Sequence, residues 1–481
     1  MIIPVLLCGC TNAPSESVIA SKAGGNFERK MYISSDEQHD PNKEVPLILT
    51  DSFSSTDNTV DFSVKINTSI KDCDMPVVEV VPHYLTEADA RRVAEVLFGN
   101  VDYYEKKPIL AENFSKKEIQ EKLNRWTQYA NDESIYDLYG QEPDFILGVV
   151  KDSIAYYTAE LDVAPNNETD SKCQWRFKDE AYYTYSSEDI ESGEELLGND
   201  AIMATCKIGD VPYSYKAITR NRNDYKLNMI SVHLYDGTSP MGLDERIFTA
   251  HLCRTDKPTE RQISEIGKKA RQILKNINLG SWEITQCTVQ TTYYGDCPEY
   301  MVHINATPLL CNVAAAQQPE LYNLNNDSLY ASNYYMTNTS MNFSATGEII
   351  DFEMTSPIEI KDVINGNVAT IAISELFDVA KNHLILSDSH TYGVGNLSQI
   401  VDEKIQCSVN ITDLYYNLLR IRVPNTDDAY YYVPGIVIVG YTEGTGADSG
   451  NLYYSSNESQ ILLAVNAVDA TIIELTNAEG S

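Results

Sequence analysis

The chain has 481 residues, of which 43% are hydrophobic, and its 70 acidic residues against 36 Lys and Arg give a formal net charge of −34. Because this length exceeds what one compact core supports, we expect two or three domains. Ordinary hydrophobic content argues against a disordered chain, and the negative charge repels phosphate backbones, which argues against nucleic-acid binding.

The first seven residues are apolar and lead into Leu7-Cys8-Gly9-Cys10. The apolar run is too short to span a membrane, and the four residues resemble a bacterial lipobox. That resemblance implies that 1–10 is a truncated lipoprotein signal peptide and that Cys10 carries the lipid. The protein would then be extracytoplasmic, anchored to the outer face of the cell membrane of a Gram-positive bacterium. The first lysine is Lys22, so either the basic part of the signal lies upstream or the stretch is no signal.

Residues 11–46 are rich in Gly, Asn, Asp and Pro, which predicts a flexible tether. The chain has 10 cysteines and no CxxC pair, so the zinc-ribbon and thioredoxin-like motifs fail on spacing. The eight cysteines downstream of the lipobox fit disulfides and small buried hydrophobic residues equally well.

The next segment, 47–240, is predicted to be an N-terminal α+β domain. Capping residues followed by apolar positions at helical spacing predict helices, and alternating apolar residues predict strands. The predicted elements are strands within 60–81, a helix at 87–98 capped by Thr86, a helix from Ser115 and strands within 172–235. Turn-forming residues at 236–242 mark the boundary.

A middle helix-on-sheet domain is predicted at 241–360, and a third α+β unit at 361–481. The middle elements are a strand at 246–253, a helix from Thr259 to Gly280 and hairpins at 282–307 and 341–354. The last unit contains a helix capped by Ser374, strands at 403–411, 415–423 and 430–441, and a strand pair around Asp469–Thr471. The stretch GIVIVGY is apolar on both faces, which predicts a central strand.

The recurrence of a helix followed by antiparallel hairpins predicts an α+β fold of tandem domains, with helices packed on one face of each sheet. The ending YYYVPGIVIVGYTEG…ILLAVNAVDATIIEL resembles PepSY and YycI-like extracytoplasmic domains, with Ala470 where their turn has Gly. The whole arrangement is similar to an uncharacterised family of Gram-positive surface lipoproteins. These resemblances imply PepSY/cystatin-like units and a binding or inhibitory module that is not a catalyst.

Three histidines form a candidate metal site. Apolar residues alternate with His233, His251 and His303, which places each histidine on the polar face of a predicted strand. If these strands are neighbours in one sheet, the imidazoles are suited to zinc or copper. The alternative is that they are simply solvated, and no other cofactor is expected.

Tyrosine is unusually frequent, with 32 residues, many of them in doublets. Adjacent residues on a strand face opposite ways, so a doublet places one ring inside and one outside. Outward rings would be available to stack on sugars or on a protein partner, whereas the alternative is ordinary half-buried strand tyrosines.

No nucleophile elbow, phosphate-binding loop or HExxH motif occurs in the sequence. We therefore expect no enzyme, but a lipid-anchored cell-surface protein that binds or regulates another envelope protein. One alternative is a glycan- or nutrient-binding module that uses exposed tyrosines. Another is an extracellular hydrolase whose carboxylates cannot be singled out among the 70 acidic residues.

Overall fold

The computed structural model describes most of the chain between residues 27 and 473. The gaps are residues 38, 41–42, 107–113, 133–142, 167–170, 180–182, 184–199, 210, 220–227, 235–242, 295–296, 317–336, 388–404, 424–425, 427–428, 447–451 and 456–459. The fold is a mixture of helices and mainly antiparallel strands, which confirms the α+β class.

Besides a single helical turn at 27–30, the described part of the chain has six helices, and three of them begin at the predicted capping residues. They are α1 (Glu87–Phe98), α2 (Lys116–Tyr129), α3 (Pro143–Val163), α4 (Leu243–Cys253), α5 (Glu260–Ile277) and α6 (Ile373–Leu384). Thr86, Ser115 and Thr259 each form a reciprocal capping box with the residue three positions on. The cap predicted at Ser374 is wrong, because Ala372 is the N-cap residue of α6 and makes no side-chain cap bond.

The strands of the described chain are β1 (Glu44–Ser54), β2 (Val60–Lys71), β3 (Val77–Pro82), β4 (Tyr104–Glu105), β5 (Lys178–Asp179), β6 (Asp200–Ile208), β7 (Val211–Thr219), β8 (Met229–His233), β9 (Trp282–Tyr294), β10 (Cys297–Leu310), β11 (Val313–Ala314), β12 (Asn338–Phe343), β13 (Ile349–Thr355), β14 (Ile358–Asn365), β15 (Ile405–Arg422), β16 (Tyr430–Gly446), β17 (Leu452–Ser455), β18 (Gln460–Asn466) and β19 (Ile472–Ile473). The predicted hairpins appear as β9–β10 and β12–β13.

The strand predicted at 246–253 is wrong, because these residues lie in helix α4. The apolar residues Phe248, Ala250 and Leu252 alternate, yet Phe248 and Leu252 are also four apart, which places them on one side of a helix. Both pack against the same apolar core, whereas Ala250 is buried in a different cluster. Eight residues are too few for periodicity alone to separate the two structures.

Two compact units make up the fold, and each combines separate segments of the chain. Unit 1 comprises 1–82, 309–333 and 359–481, and unit 2 comprises 83–308 and 334–358. The boundaries predicted at 240/241 and 360/361 do not coincide with these units. β8 before the first boundary pairs with β13 after it, and the second boundary falls inside β14.

The sheet of unit 1 runs in the order β1-β2-β15-β16-β18-β19, with β2 and β15 parallel. In β16, Ile436 and Ile438 enter the core that includes α6, whereas Val437 and Val439 enter a second core on the other face. This burial on both faces confirms the central position predicted for GIVIVGY. The strands predicted at 403–411 and 415–423 are one strand, β15, with an irregularity between Ile411 and Asp413.

Part of the predicted tether is folded onto unit 1. Phe27 and Met31 are buried in its second core, and β1 begins at Glu44. The polar composition of 11–46 concealed these two apolar anchors. Residues 11–26 lie outside the described part of the chain, so the tether remains a prediction there.

The sheet of unit 2 has the order β10-β12-β13-β8-β7-β6-β4, with β9 on the outer side of β10. Helices α1 and α5 share one apolar core with the strands. Helices α2 and α3 form a separate apolar cluster. The opposite face of this sheet carries the candidate site.

Candidate functional site

A continuous row of polar side chains crosses the sheet of unit 2. Each residue is paired in register with the next, one per strand: Thr288, His303, Asn342, Asp351, His233, Ser214, Thr205 and Tyr104. Seven spacings of about 4.8 Å make the row roughly 34 Å long. Residues in register point to the same side of a sheet, so these side chains share one face.

A second polar row runs beside the first, two residues further along each strand. It consists of Gln286, Asn305, Ser340, Glu353, Ser231 and Lys216. The two rows together are called the polar face. Their neighbours on the same strands, such as Val302, Phe352 and Val232, are fully buried in the core beneath the helices. The alternation of each strand therefore gives the sheet an apolar side and a side that carries both polar rows. The second side is not polar throughout, because Ala201, Met203, Ile218 and Met229 form an apolar cluster with Tyr183 beside the rows.

Hydrogen bonds fix the centre of the first row. Asn342 donates from Nδ2 to both carboxylate oxygens of Asp351, at 2.9 and 3.1 Å, so its Oδ1 is available as an acceptor. His303 Nδ1 lies 2.7 Å from that oxygen and therefore carries the proton it donates. In the second row, Asn305 Nδ2 donates to Gln286 Oε1 at 2.8 Å. The face is thus preorganised by its own side chains.

The middle of the polar face is acidic. Asp351 and Glu353 lie on the same side of β13, in register with His233 and Ser231 of β8. Burial raises the pKa of Glu353, His233 lowers it, and the negative charge of Asp351 raises it further. A carboxylate held without a full counter-charge favours a ligand that brings positive charge or hydrogen-bond donors.

The structure does not bring the three predicted metal-ligating histidines together. His233 and His303 lie in the same row with β12 and β13 between them, which separates them by roughly 14 Å. His251 lies on helix α4 instead of a strand. Zinc–nitrogen bonds are about 2.0–2.1 Å long, so this spacing does not permit a shared ion. Among the described residues, no group of three or more His, Cys, Asp or Glu is placed to hold a metal.

Two groups of adjacent tyrosines among the described residues alternate between inside and outside, as predicted for strands. Tyr103 is buried and Tyr104 half-buried, and in the triplet Tyr430 and Tyr432 are buried on either side of a partly exposed Tyr431. Among the described tyrosines, the most exposed are Tyr32, Tyr156, Tyr293 and Tyr415, which lie in a turn, α3, β9 and β15. None of these four belongs to the polar face.

The lipidation site Cys10 lies outside the described residues, so it stays a prediction. Seven downstream cysteines are described, and none of these seven forms a disulfide with another. Cys206, Cys253 and Cys407 are buried in apolar cores, where they serve as the small hydrophobic residues that one of the two alternatives proposed. Within the described part of the chain, no helix is long and apolar enough to cross a membrane.

Sequence reasoning missed most of the polar face. It placed His233 and His303 correctly on the polar sides of two strands. It did not find Asn342, Asp351 and Glu353, although the alternation in MNF and IDFEM contains the signal. What the pattern lacks is the order of the strands, because β8 and β13 are far apart in the chain.

Comparison with known proteins gives no family. No family model matches the chain, and no curated protein matches it. Among solved structures, an uncharacterized protein from Eubacterium rectale ATCC 33656 is similar at 8% identity, covering 94% of this chain and 99% of that one, with a TM-score of 0.40. The Bacillus megaterium YpeB C-terminal domain is similar at 14% identity, covering 56% and 97%, with a TM-score of 0.19. At these low scores, neither likeness carries an argument about fold or function.

Proposed function

We propose that this protein is a non-catalytic binding protein, held by a lipid on Cys10 at the outer face of the cell membrane of a Gram-positive bacterium. In this proposal the polar face of unit 2 binds a basic segment of another envelope protein. The location is supported by the lipobox-like start of the sequence. The binding role is supported by the polar face, which is the observation that carries the proposal.

Charge complementarity selects the partner. The first row carries one carboxylate, Asp351, and no Lys or Arg, and the second carries Glu353 with a single cation, Lys216. The whole chain has a net charge of −34, which attracts cationic partners over a distance and repels anionic ones. A segment with Lys or Arg side chains supplies the donors that the carboxylates and amide oxygens accept.

We further propose that the two units contain copies of one PepSY-like repeat. Helix α5 is followed by four strands adjacent in the order β9-β10-β12-β13, and α6 by β15-β16-β18-β19 in the same arrangement. The last hairpin of each closes with a backbone bond, from Ser344 N to Glu348 O and from Asn466 N to Thr471 O. Aligning these turns matches Asn342 with Ala464.

That match supports an open, functional face on unit 2. Ala464 is buried in the second core of unit 1, where residues from other segments cover the sheet. Asn342 occupies the corresponding position but is only half-buried and bonds other polar side chains. One position of the repeat is therefore apolar where the sheet is covered and polar on the polar face.

Recognition fits the polar face better than hydrolysis does. A glycosidase needs two carboxyl groups free to flank the bond that breaks. Asp351 instead accepts hydrogen bonds from Asn342 on both oxygens, so its carboxylate holds the Asn342 side chain in place. The raised pKa of Glu353 remains the one observation that favours the hydrolase alternative.

Removing the two central charges tests the proposal. In Asp351→Asn/Glu353→Gln, a lysine-reactive crosslinker applied to intact cells should recover the partner at least about tenfold less than in wild type, about 1.4 kcal/mol of binding. The matched control Asp256→Asn/Glu260→Gln removes the same charge from exposed positions of unit 2 and should leave recovery unchanged. Equal recovery with both double variants would show that the polar face is not the binding surface.

A further inference from the structure

Unit 1 holds a short N-terminal segment in a groove of its own. The covering segment, residues 27–35, begins with a helical turn in which Met31 N donates to Phe27 O at 2.9 Å. Phe27 and Met31 are four residues apart, so both point to the same side of the turn. They are 5% and 3% exposed, whereas the neighbouring Tyr32 and Ile33 are 63% and 55% exposed.

The groove that receives these two side chains is apolar. It belongs to the second core of unit 1, whose other buried members are Val77, Ala316, Val368, Leu419, Val433, Val437, Val439, Ala464 and Val468. The ring of Tyr431 completes it, with its centroid 5.8 Å from that of Phe27. Two large side chains at helical spacing in an apolar groove are the usual basis of helix-in-groove recognition.

A few polar contacts fix the orientation of the covering segment. Asn365, which is 8% exposed, donates from Nδ2 to Met31 O at 3.2 Å. Ala369 N donates to Ile33 O and Ser35 N to Asn367 O, both at 2.8 Å. Ser34 Oγ also donates to Asn365 Oδ1, at 3.4 Å. The other bonds involve the backbone of the segment, so its sequence preference comes mainly from the two apolar anchors.

We infer that this groove is a docking site for a short segment with two large apolar side chains four residues apart, which the chain fills with its own residues 27–35. The contact consists of two apolar side chains, a single β-bridge between Ser34 and Val368 and a few hydrogen bonds, much less than the ladder that holds a strand in the sheet. The covering segment therefore detaches while the sheet stays folded. When it does, the groove accepts the same segment from a second copy of the chain.

Hydrogen exchange of the wild-type chain tests the separate release. Ala369 N is protected by Ile33 of the covering segment, whereas the adjacent Val368 N donates to Met75 O, outside that segment. Release predicts that the Ala369 amide exchanges at least about tenfold faster than the Val368 amide after correction for intrinsic rates. Equal exchange of the two amides would mean that the segment leaves only when unit 1 unfolds, and the inference would fail.

A peptide added in trans tests the docking site. A fluorescent peptide of residues 26–36 should bind the full chain carrying Phe27→Ala/Met31→Ala at least about tenfold more tightly than it binds wild type, whose groove is occupied. Tyr32→Ala changes an exposed residue and should behave as wild type. Binding to neither protein, equal binding to both, or equal binding of a peptide with both anchors changed to Ala would each overturn the inference. If the double variant does not fold, the exchange measurement decides alone.

Discussion

The ion pair between Arg254 and Glu299 gives the sharpest prediction about stability. Arg254 Nε lies 3.1 Å from Glu299 Oε1, and the side chains are 23% and 1% exposed. Arg254 Nη2 is buried and makes no hydrogen bond with the described residues. Replacing Glu299 by Gln therefore removes the negative charge beside the Arg254 guanidinium, which already has one nitrogen without an acceptor in the described part of the chain. Removing one partner of a buried pair costs about 3–5 kcal/mol, and because Arg254 is partly exposed we expect a loss of about 3 kcal/mol.

A second pair of the same chemistry provides the control. Arg261 Nε lies 2.9 Å from Glu265 Oε1, but these side chains are 87% and 58% exposed. Exposed helix pairs of this spacing contribute only about 0.3–0.5 kcal/mol, so Glu265→Gln should be nearly neutral. The double variant Arg254→Met/Glu299→Met removes both charges and should recover most of what Glu299→Gln loses.

Tryptophan fluorescence during urea unfolding is the appropriate assay, because all three tryptophans, Trp126, Trp175 and Trp282, lie in unit 2 together with both pairs. The free energy of unfolding should fall by about 3 kcal/mol in Glu299→Gln and by less than about 0.5 kcal/mol in Glu265→Gln. Equal losses in the two variants would refute the reasoning that burial, and not the presence of an ion pair, determines the effect.

Further variants test other parts of the account. Burial would raise the pKa of Asp89, but hydrogen bonds from Thr86 and the contact with His83 lower it below 3.8. The stability that ionised Asp89 contributes is therefore present above pH 3.8 and is lost as the pH falls through the folded pKa. In a pH series of unfolding curves, Asp89→Asn should reduce this loss of stability in acid. The pH dependence expected from Glu353 has the opposite sign, because its raised pKa makes the charged form unfavourable in the folded protein. In the same fluorescence assay, Glu353→Gln should stabilise unit 2 at neutral pH and have no effect below pH 4.5. Gly440→Ala would place a Cβ 2.2 Å from Asn410 O, so the free energy of unfolding followed by circular dichroism should fall by about 3 kcal/mol or more. The control Gly148→Ala in α3 places a Cβ where nothing lies within 4 Å, and it should stabilise the protein by up to about 1 kcal/mol.

Local chemistry made much of the fold predictable. The capping boxes of α1, α2 and α5 depend on residues three positions apart, so the sequence alone contains the whole signal. GIVIVGY predicts a strand at the centre of a sheet because a strand that is apolar on both faces has to be covered on both. These predictions needed no knowledge of which elements are neighbours.

Long-range pairing accounts for what the sequence could not predict. The parallel contact of β2 with β15 and the pairing of β8 with β13 join segments that are distant in the chain, and no local pattern encodes either. The predicted metal site is wrong partly for this reason, because the strands of His233 and His303 share a sheet but are not neighbours. It is wrong also because His251 lies on helix α4 and not on a strand. Asp351 and Glu353 became candidate site residues only when β13 was placed beside β8.

Site-specific photo-crosslinking tests the central claim most directly. A photoreactive residue at the exposed His233 lies on the polar face, whereas one at Tyr293, 69% exposed, lies on the other side of its strand. On intact cells we expect the probe at position 233 to label one envelope protein through a Lys- or Arg-containing peptide, and to do so less as ionic strength rises. The probe at position 293 should not label it. Labelling of the same protein from both positions, or from position 293 alone, would contradict the assignment of binding to the polar face.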